Sequence, residues 1–119
     1  MAQHNLLGKK GEDLAVDFLI NKGYIILDRN YRYERAEVDI IAKKDQTLAV
    51  IEVKTRSTTD FGNPQDFVKP KQIERLVNAV DAYITSNLLD FEVRFDIIAI
   101  IRSGDQYDIE HLENAFYHF

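Results

Sequence analysis

The 119-residue sequence contains no cysteine. This absence excludes disulfides, thiolate zinc sites and cysteine nucleophiles, and nothing indicates an oxidising compartment. No apolar run approaches the roughly 18–20 residues of a membrane span, and the segment Met1–Lys10 lacks the apolar stretch of a signal peptide. We therefore predict an intracellular, cytoplasmic protein that does not act in a membrane.

Glycine and proline are also scarce, with five glycines and two prolines. Both prolines, Pro64 and Pro70, fall in the segment from Ser57 to Pro70, which is the one long loop that we predict. Loops of this length in compact domains are often functional. There is no repeat, low-complexity tract or linker. Because 45% of the residues are hydrophobic, we predict a single domain over residues 1–119 with a core of its own.

Positively charged residues are fewer than negatively charged ones, and the formal net charge is −5. A protein that coats nucleic acid by bulk charge usually has a domain pI above about 9, so that class is disfavoured. A local basic surface remains compatible with this composition. An enzyme that holds a metal ion at clustered carboxylates also carries local negative charge.

Apolar periodicity predicts an α/β fold. Helical spacing indicates two helices, Leu6–Lys22 and Lys71–Ser86. Strands are predicted over Tyr24–Leu27, Val38–Ala42, Thr47–Lys54, Phe91–Ile101 and Gln106–Glu110. The polar segment Asp28–Arg35 is either a continuation of the first strand or a hairpin. A long helical crossover between strands favours a mixed β-sheet of about five strands flanked by helices.

Two charged residues end a strand that is otherwise apolar on both faces. Glu52 and Lys54 share one face of Thr47–Lys54 because strand side chains alternate. If this strand pairs with the preceding one, Asp39 is a neighbour of Glu52. Two carboxylates about 4 Å apart repel by about 4 kcal/mol at an effective dielectric constant of about 20, so they need a shared proton or a cation. The alternative is that these groups are solvated or form a weak surface salt bridge.

Carboxylate oxygens are ligands that Mg²⁺ prefers. An ammonium such as that of Lys54 can pair with a scissile phosphate, stabilise developing charge and orient the attacking water. On the first helix, Glu12 borders the buried stripe and is a further candidate ligand, directly or through water. Together these groups suffice for metal-assisted hydrolysis of a phosphodiester.

The same residues resemble a known pattern. An acidic residue on a first helix, an Asp, and Glu-x-Lys on the next strand are typical of the PD-(D/E)XK nuclease superfamily. Beyond this pattern the chain is similar to the YraN-like family, which is related in fold to archaeal Holliday-junction resolvases. The stretches that carry the likeness are Gly11–Ala15, Arg29–Arg32, Ala36–Ile41, Val50–Arg56, Lys71–Leu76 and Arg94–Asp96.

The resemblance implies a restriction-endonuclease-like fold and a metal-dependent endonuclease that acts on DNA, including branched DNA and repair intermediates. The catalytic residues would be Asp39, Glu52 and Lys54. Mg²⁺ or Mn²⁺ would be held by Glu12, Asp39, Glu52 and the backbone of Val53. A nuclease of branched DNA would act as a homodimer with two sites. Two alternatives stay open: a catalytically inactive module that binds nucleic acid or a protein partner, and a structural interaction domain that binds no metal.

Several other side chains have both a functional and an ordinary interpretation. The predicted nucleic-acid-binding residues are Arg32, Arg35, Arg56 and Lys71, and other basic residues that could contact phosphates are Arg29, Lys43, Lys44, Lys69 and Arg75. Each of them is also compatible with plain solvated surface. Tyr31 and Tyr33 could stack on bases, or they are half-buried strand residues. His4, His111 and His118 are expected at the surface or the termini, and Asp96 as a buried, hydrogen-bonded structural carboxylate.

Overall fold

The computed structural model describes residues 2–57, 69–87 and 90–115, with side chains from residue 7 onward. The elements in chain order are α1 (Ala2–Asn21), β1 (Ile25–Tyr33), β2 (Ala36–Lys44), β3 (Thr47–Arg56), α2 (Pro70–Asn87), β4 (Glu92–Ser103) and β5 (Gln106–Leu112). In the described part of the chain, no helix is both long and apolar enough to cross a membrane.

The five strands form one mixed sheet in the order β1-β2-β3-β4-β5. Neighbouring strands are antiparallel except β3 and β4, which are parallel because α2 crosses between them. The α/β fold predicted from the periodicity is therefore confirmed, and the arrangement is consistent with a restriction-endonuclease-like fold. The polar segment 28–35 resolves into the end of β1 followed by a two-residue hairpin turn.

Each face of the sheet carries one helix and one apolar cluster. On the α2 face, Leu76, Ala79, Val80 and Tyr83 of the helix pack on sheet residues that include Val38, Val50, Phe95 and Ile97. On the α1 face, Ala15 and Leu19 pack on sheet residues that include Ile40, Ala49, Ile51 and Ile98. The alternation of β3 explains this division, since Val50 and Ile51 point to opposite faces.

The predicted loop Ser57–Pro70 is seen only at its ends. Residues 58–68 lie outside the described residues. Ser57 follows β3, and Pro70 is the first residue of α2, a position where the missing N–H of proline has no consequence and its fixed φ suits the helix. The crossover thus delivers α2 to the sheet face that also carries Glu52.

Asp96 is a structural carboxylate, as predicted. It is 0% exposed, and Arg94 donates to both of its oxygens at 2.9 and 2.8 Å. The backbone N–H of Asn114 donates at 3.0 Å and His111 Nε2 lies at 2.7 Å. Burial raises the pKa of Asp96, but these hydrogen bonds outweigh burial and hold the pKa below its usual value.

The surface position predicted for His111 is wrong. Its side chain is 3% exposed, and its Nδ1 lies 2.8 Å from Lys22 Nζ. Because an ammonium is only a donor, Nδ1 is the acceptor and the ring proton lies on Nε2, which donates to Asp96. No local pattern indicates this partnership, because His111 is 15 residues from Asp96 and 89 from Lys22. His4 and His118 lie outside the residues whose side chains are described.

One glycine on α1 sets the distance between this helix and the sheet. A Cβ at Gly11 would lie 1.9 Å from Thr55 Oγ1 and 3.0 Å from Thr55 Cβ, whereas a Cβ at Gly8 would meet nothing within 4 Å. Both positions lie inside the helix. The backbone of α1 therefore approaches the end of β3 at Gly11, which brings the adjacent Glu12 close to that strand.

Helix propensity and packing predict opposite effects for Gly11→Ala. Alanine is favoured over glycine in a helix by roughly 0.5–1 kcal/mol, but overpacking against Thr55 should lower the free energy of unfolding by about 2 kcal/mol. Thr55→Ala removes the nearest atom, so Gly11→Ala should cost less in that background. Gly8→Ala is the matched control and should stabilise. Urea unfolding of the four variants tests this, and a stabilising Gly11→Ala would contradict the close approach.

Candidate metal and phosphodiester site

The hydrogen-bonded ladder between β2 and β3 stops short of the predicted site residues. It runs from Lys44 opposite Thr47 to Ile40 opposite Ile51. Asp39 and Glu52 are the next residues on the two strands, so the carboxylates lie on adjacent strands, as the sequence predicted. Here the side chain of Asp39 replaces a backbone acceptor, because its Oδ2 accepts the N–H of Val53 at 2.8 Å.

The chain of β2 also changes face at this point. Val38 packs in the α2-side cluster and Ile40 in the α1-side cluster, although residues two apart normally share a face. On β1, Arg29 pairs with Ile40 and Tyr31 with Val38. The residue between them on β1 is Asn30, whose φ is +55°. The strand irregularity therefore centres on Asp39, and the regular alternation expected around this residue does not hold.

Because of this irregularity, Asp39 lines clefts on both sides of the sheet. The α1-side cleft has a volume of about 310 Å³, and Glu12, Asp39, Val53, Lys54, Arg56 and Ser57 are among its lining residues. The α2-side cleft has a volume of about 590 Å³, and its lining includes Arg35, Glu37, Asp39, Glu52, Lys69, Lys71, Gln72 and Arg75. Asp39 is the described residue that lines both clefts.

Glu52 is a buried carboxyl with few partners. It is 5% exposed, and its Oε2 accepts one long hydrogen bond, 3.4 Å, from Gln72 Nε2. Its Oε1 is buried and has no hydrogen-bond partner among the described residues. Burial, followed by the charge of Asp39, raises the pKa of Glu52 to about 8. The contrast with the fully bonded Asp96 indicates that the described part of the chain does not by itself satisfy Glu52.

Asp39 is perturbed in the same direction. Burial raises the pKa of Asp39 to about 6, and the Val53 N–H lowers it without cancelling the effect. The carboxylate of Glu12 raises the pKa of both Asp39 and Glu52, and the ammonium of Lys54 lowers both. All four predicted side chains therefore interact electrostatically in one place.

Glu12 and Lys54 line the α1-side cleft together with Asp39. Glu12 is 23% exposed at its side chain and lies 3.8 Å from Arg29. Lys54 is half-buried, and within the described ranges no ion pair holds its ammonium. The described residues contain no group of three or more acidic or histidine side chains arranged to hold a metal ion. A cation here would depend on two carboxylates and a backbone oxygen, with Glu12 further out.

The four predicted nucleic-acid-binding residues lie in three places. Arg35 and Lys71 line the α2-side cleft and Arg56 the α1-side cleft. β3 continues to Arg56, whose guanidinium donates to the Thr55 carbonyl. Arg32 lies apart from the two clefts and forms an exposed ion pair with Glu37 at 2.8 Å.

Sequence reasoning missed Gln72. It lies on α2 four residues before the buried Leu76, so it continues the buried stripe of the helix toward its N-terminus. A polar residue at a stripe position was the available signal. Only the packing of α2 against β3 reveals that its partner is Glu52.

The raised pKa values predict how stability depends on pH. The pKa of Asp39 is raised from 3.8 to about 6, and the pKa of Glu52 from 4.5 to about 8. At pH values between the ordinary and the raised pKa, the folded protein without metal therefore binds more protons than the unfolded chain. The free energy of unfolding should therefore fall as pH rises through this window. Glu52→Gln stays neutral and should be more stable than wild type at pH 8 by on the order of 2 kcal/mol.

Urea unfolding at pH 5 and pH 8, in buffer containing a chelator, measures this difference. Glu92→Gln, which changes an exposed carboxylate on β4, is the matched control and should keep the wild-type pH slope. If Glu52→Gln also keeps that slope, Glu52 is not the buried acid described above.

The family model described as "Uncharacterised protein family UPF0102" matches residues 11–100. Over all 119 residues the chain is 63% identical to a UPF0102 protein of Christiangramia forsetii and 59% identical to one of Flavobacterium psychrophilum, and each alignment covers 100% of both chains. A UPF0102 protein of Bacteroides fragilis is 52% identical over 117 residues, which are 98% of this chain and 97% of that protein. The matched segment contains Glu12, Asp39, Glu52 and Lys54. The chain belongs to the UPF0102 family.

Proposed function

We propose that this protein is a metal-dependent endonuclease of the PD-(D/E)XK type that hydrolyses phosphodiester bonds in DNA, with branched DNA and repair intermediates as candidate substrates. The observation that carries the proposal is the pair of carboxyls at the open end of the β2–β3 ladder, of which Glu52 is buried and Asp39 half-buried. A lysine on the same strand lies two residues beyond Glu52.

The chemistry of the donors fits a hard divalent cation. An unpartnered buried oxygen such as Glu52 Oε1 costs roughly 1–3 kcal/mol, and both carboxyls of the pair need a proton or a cation. A cation between them would neutralise both. The available ligand atoms are oxygens, which suit Mg²⁺ and Mn²⁺.

Val53 supports the same assignment from the backbone. The N–H and C=O of a strand residue point toward the same neighbouring strand. Since the N–H of Val53 is bonded to Asp39, its carbonyl is directed into the same opening. We therefore assign Asp39, Glu52 and the Val53 carbonyl as ligands, with Glu12 adding a carboxylate directly or through water.

The remaining groups act on the phosphate. When bound, the cation supplies positive charge at the scissile phosphate and lowers the pKa of the attacking water. Lys54 adds a second positive charge, which stabilises the negative charge that grows on the phosphate oxygens in the transition state. Gln72 restrains Oε2 of Glu52 and so limits rotation of this carboxyl. Arg35, Lys71 and Arg56 offer phosphate contacts along the two clefts.

The alternative is a module that binds DNA or a protein partner without turnover. Its support is the net charge of −5 and the absence, among the residues described, of a group of three or more acidic or histidine side chains arranged to hold a metal ion. Under this alternative the UPF0102 fold would serve as a platform that only binds its partner. Catalysis would then not require the homodimer that we propose for cleavage of branched DNA.

Metal binding should stabilise the folded protein through the carboxylate pair. Adding Mn²⁺ or Mg²⁺ at pH 8 should raise the midpoint of thermal unfolding of the wild type, because a ligand that binds only the folded state adds RT ln(1 + [L]/Kd). The double variant Asp39→Ala/Glu52→Ala should lose this response. Asp108→Asn, which changes an exposed carboxylate on β5, should keep it. If metal shifts the unfolding midpoint equally in wild type and in the double variant, Asp39 and Glu52 are not the metal ligands.

Lys54 separates catalysis from binding. Lys54→Ala removes a charge directed at the transition state, so the cleavage rate should fall by about 10²–10³ while DNA affinity changes little. Lys54→Arg should rescue poorly, since the larger planar guanidinium replaces a compact charge. Lys44→Ala is the control, because Lys44 lies at the opposite end of the same ladder.

The measurement is single-turnover cleavage of duplex, flap, single-stranded and four-way-junction DNA with Mg²⁺ or Mn²⁺. Wild type that cleaves none of these substrates would favour the platform alternative. If Lys54→Ala cleaves as fast as wild type, Lys54 has no catalytic role, although the assigned fold is unaffected.

A further inference from the structure

The α2-side cleft continues past the carboxylates into a second hollow. This hollow, of about 230 Å³, is lined by residues of the β1–β2 hairpin and of α2, namely Tyr33, Glu34, Arg35, Ala36, Arg75 and Asn78. Arg35, Ala36 and Arg75 also line the α2-side cleft. The two cavities therefore form one groove, here called the hairpin groove, which leads from Glu52 to Tyr33.

The rim of the hairpin groove is basic although the protein is acidic overall. Arg35, Lys69, Lys71 and Arg75 are exposed along it. The acidic groups on the lining are Glu34, Glu37 and the two carboxyls at the end of the groove, and Glu37 is engaged by Arg32. The rim thus attracts an anion, and the proposed metal would offset the charge at the carboxyl end.

The groove is long enough for more than one phosphate. Lys71, Arg75 and Asn78 follow one another on α2 at spacings of four and three residues, and so share one side of the helix. At 1.5 Å per residue they span about 10 Å of helix axis. A polynucleotide strand carries one phosphate per about 3.4 Å when its bases are stacked.

Tyr33 gives the groove a second kind of contact. The two tyrosines near the end of β1 have different environments: Tyr31 packs edge to face on Tyr83 with ring centroids 5.0 Å apart, whereas Tyr33 is 38% exposed and lines the hollow. An exposed aromatic ring beside arginines is a stacking platform for a base. In a duplex the faces of each base are covered by its neighbours, so stacking on Tyr33 requires an unpaired base.

The hairpin that carries these groups is held in an unfavourable backbone conformation. Glu34, the first of its two turn residues, has a φ of +55°, where hairpin turns favour glycine. The other described non-glycine residues with positive φ are Asn30, Asp45 and Asn114, types that tolerate this region better. Strain of this kind is concentrated at ligand-binding and functional segments.

We propose that the hairpin groove binds an unpaired DNA strand, with Arg35 and Arg75 on its phosphates and Tyr33 stacked on one of its bases. This inference rests on the proposed nuclease function and deepens it, because the groove leads a single strand to Asp39 and Glu52. The substrate class is DNA with a single-stranded arm at the cleavage site, rather than a continuous duplex.

A single introduced indole tests the stacking directly, because the chain contains no tryptophan. In the Tyr33→Trp variant a short oligo(dT) should quench the fluorescence, and a blunt hairpin duplex of the same length should quench it much less. The matched control is Ile25→Trp, which places an indole on the same strand at a residue that is 59% exposed and outside the groove. Quenching there should be absent.

Affinities from anisotropy of labelled oligo(dT) complete the test. Tyr33→Ala should weaken binding by about tenfold or more, whereas Tyr33→Phe keeps the ring and should bind like wild type. Arg35→Ala and Arg75→Ala should each weaken binding and reduce its salt dependence. No quenching in Tyr33→Trp, equal quenching in Ile25→Trp, or equal affinity for duplex and single strand would each overturn the proposal.

These readouts do not require turnover, so the two proposals fail separately. If Tyr33→Trp is quenched but wild type does not cleave, strand binding in the hairpin groove stands and the nuclease function is wrong. Cleavage of continuous duplex by wild type, with no effect of Tyr33→Ala on binding or rate, would retain the nuclease and remove the groove.

Discussion

Beyond Ile40 and Ile51 the strands β2 and β3 no longer exchange backbone hydrogen bonds, and the side chain of Asp39 takes over the acceptor role for the N–H of Val53. A ladder that continued would close the sheet at this point and fill the space with paired backbone. The substitution of a side chain for a backbone acceptor keeps the N–H satisfied while the strands separate. This bond, the change of face in β2 and the two clefts that Asp39 lines all lie at the same point of the sheet.

Two carboxyls lie at this opening, of which Glu52 is buried and Asp39 half-buried. Asp96 shows how this protein treats a purely structural carboxylate: hydrogen bonds from Arg94, His111 and Asn114 surround it and its pKa is lowered. Glu52 has one long contact to Gln72, an oxygen without a partner among the described residues, and a raised pKa. Unsatisfied buried groups of this kind are typical of functional sites, where they are positioned for a ligand.

The distribution of charge makes an acidic protein compatible with the anionic substrate that we propose. The net charge of −5 describes the whole chain, but a polyanion responds to the local field of the surface that it approaches. Around the hairpin groove the exposed side chains of α2 and of the hairpin are largely basic, and the carboxyls lie at the floor. The proposed cation would turn that floor from repulsive to attractive, so the proposed binding of metal and of DNA would support each other.

The sequence alone determined the elements and the candidate chemistry. Apolar periodicity is a local property, so the helices, the strands and the mixed sheet followed from it, and Glu52 and Lys54 were conspicuous because they interrupt an apolar strand. The strand pattern also indicated candidate roles for Asp39 and Lys54, and the helix pattern one for Glu12; the resemblance implies the same roles. The structure brings these groups into electrostatic contact with Glu52.

Only the tertiary structure decided the contacts between residues that are distant in the chain. The bond from Val53 to Asp39, the contact of Gln72 with Glu52 and the burial of His111 against Asp96 all join different elements. The different environments of Tyr31 and Tyr33 likewise depend on where α2 packs. Such contacts depend on register, strand divergence and helix placement, which are set by the packing of the whole domain and leave no local pattern in the sequence.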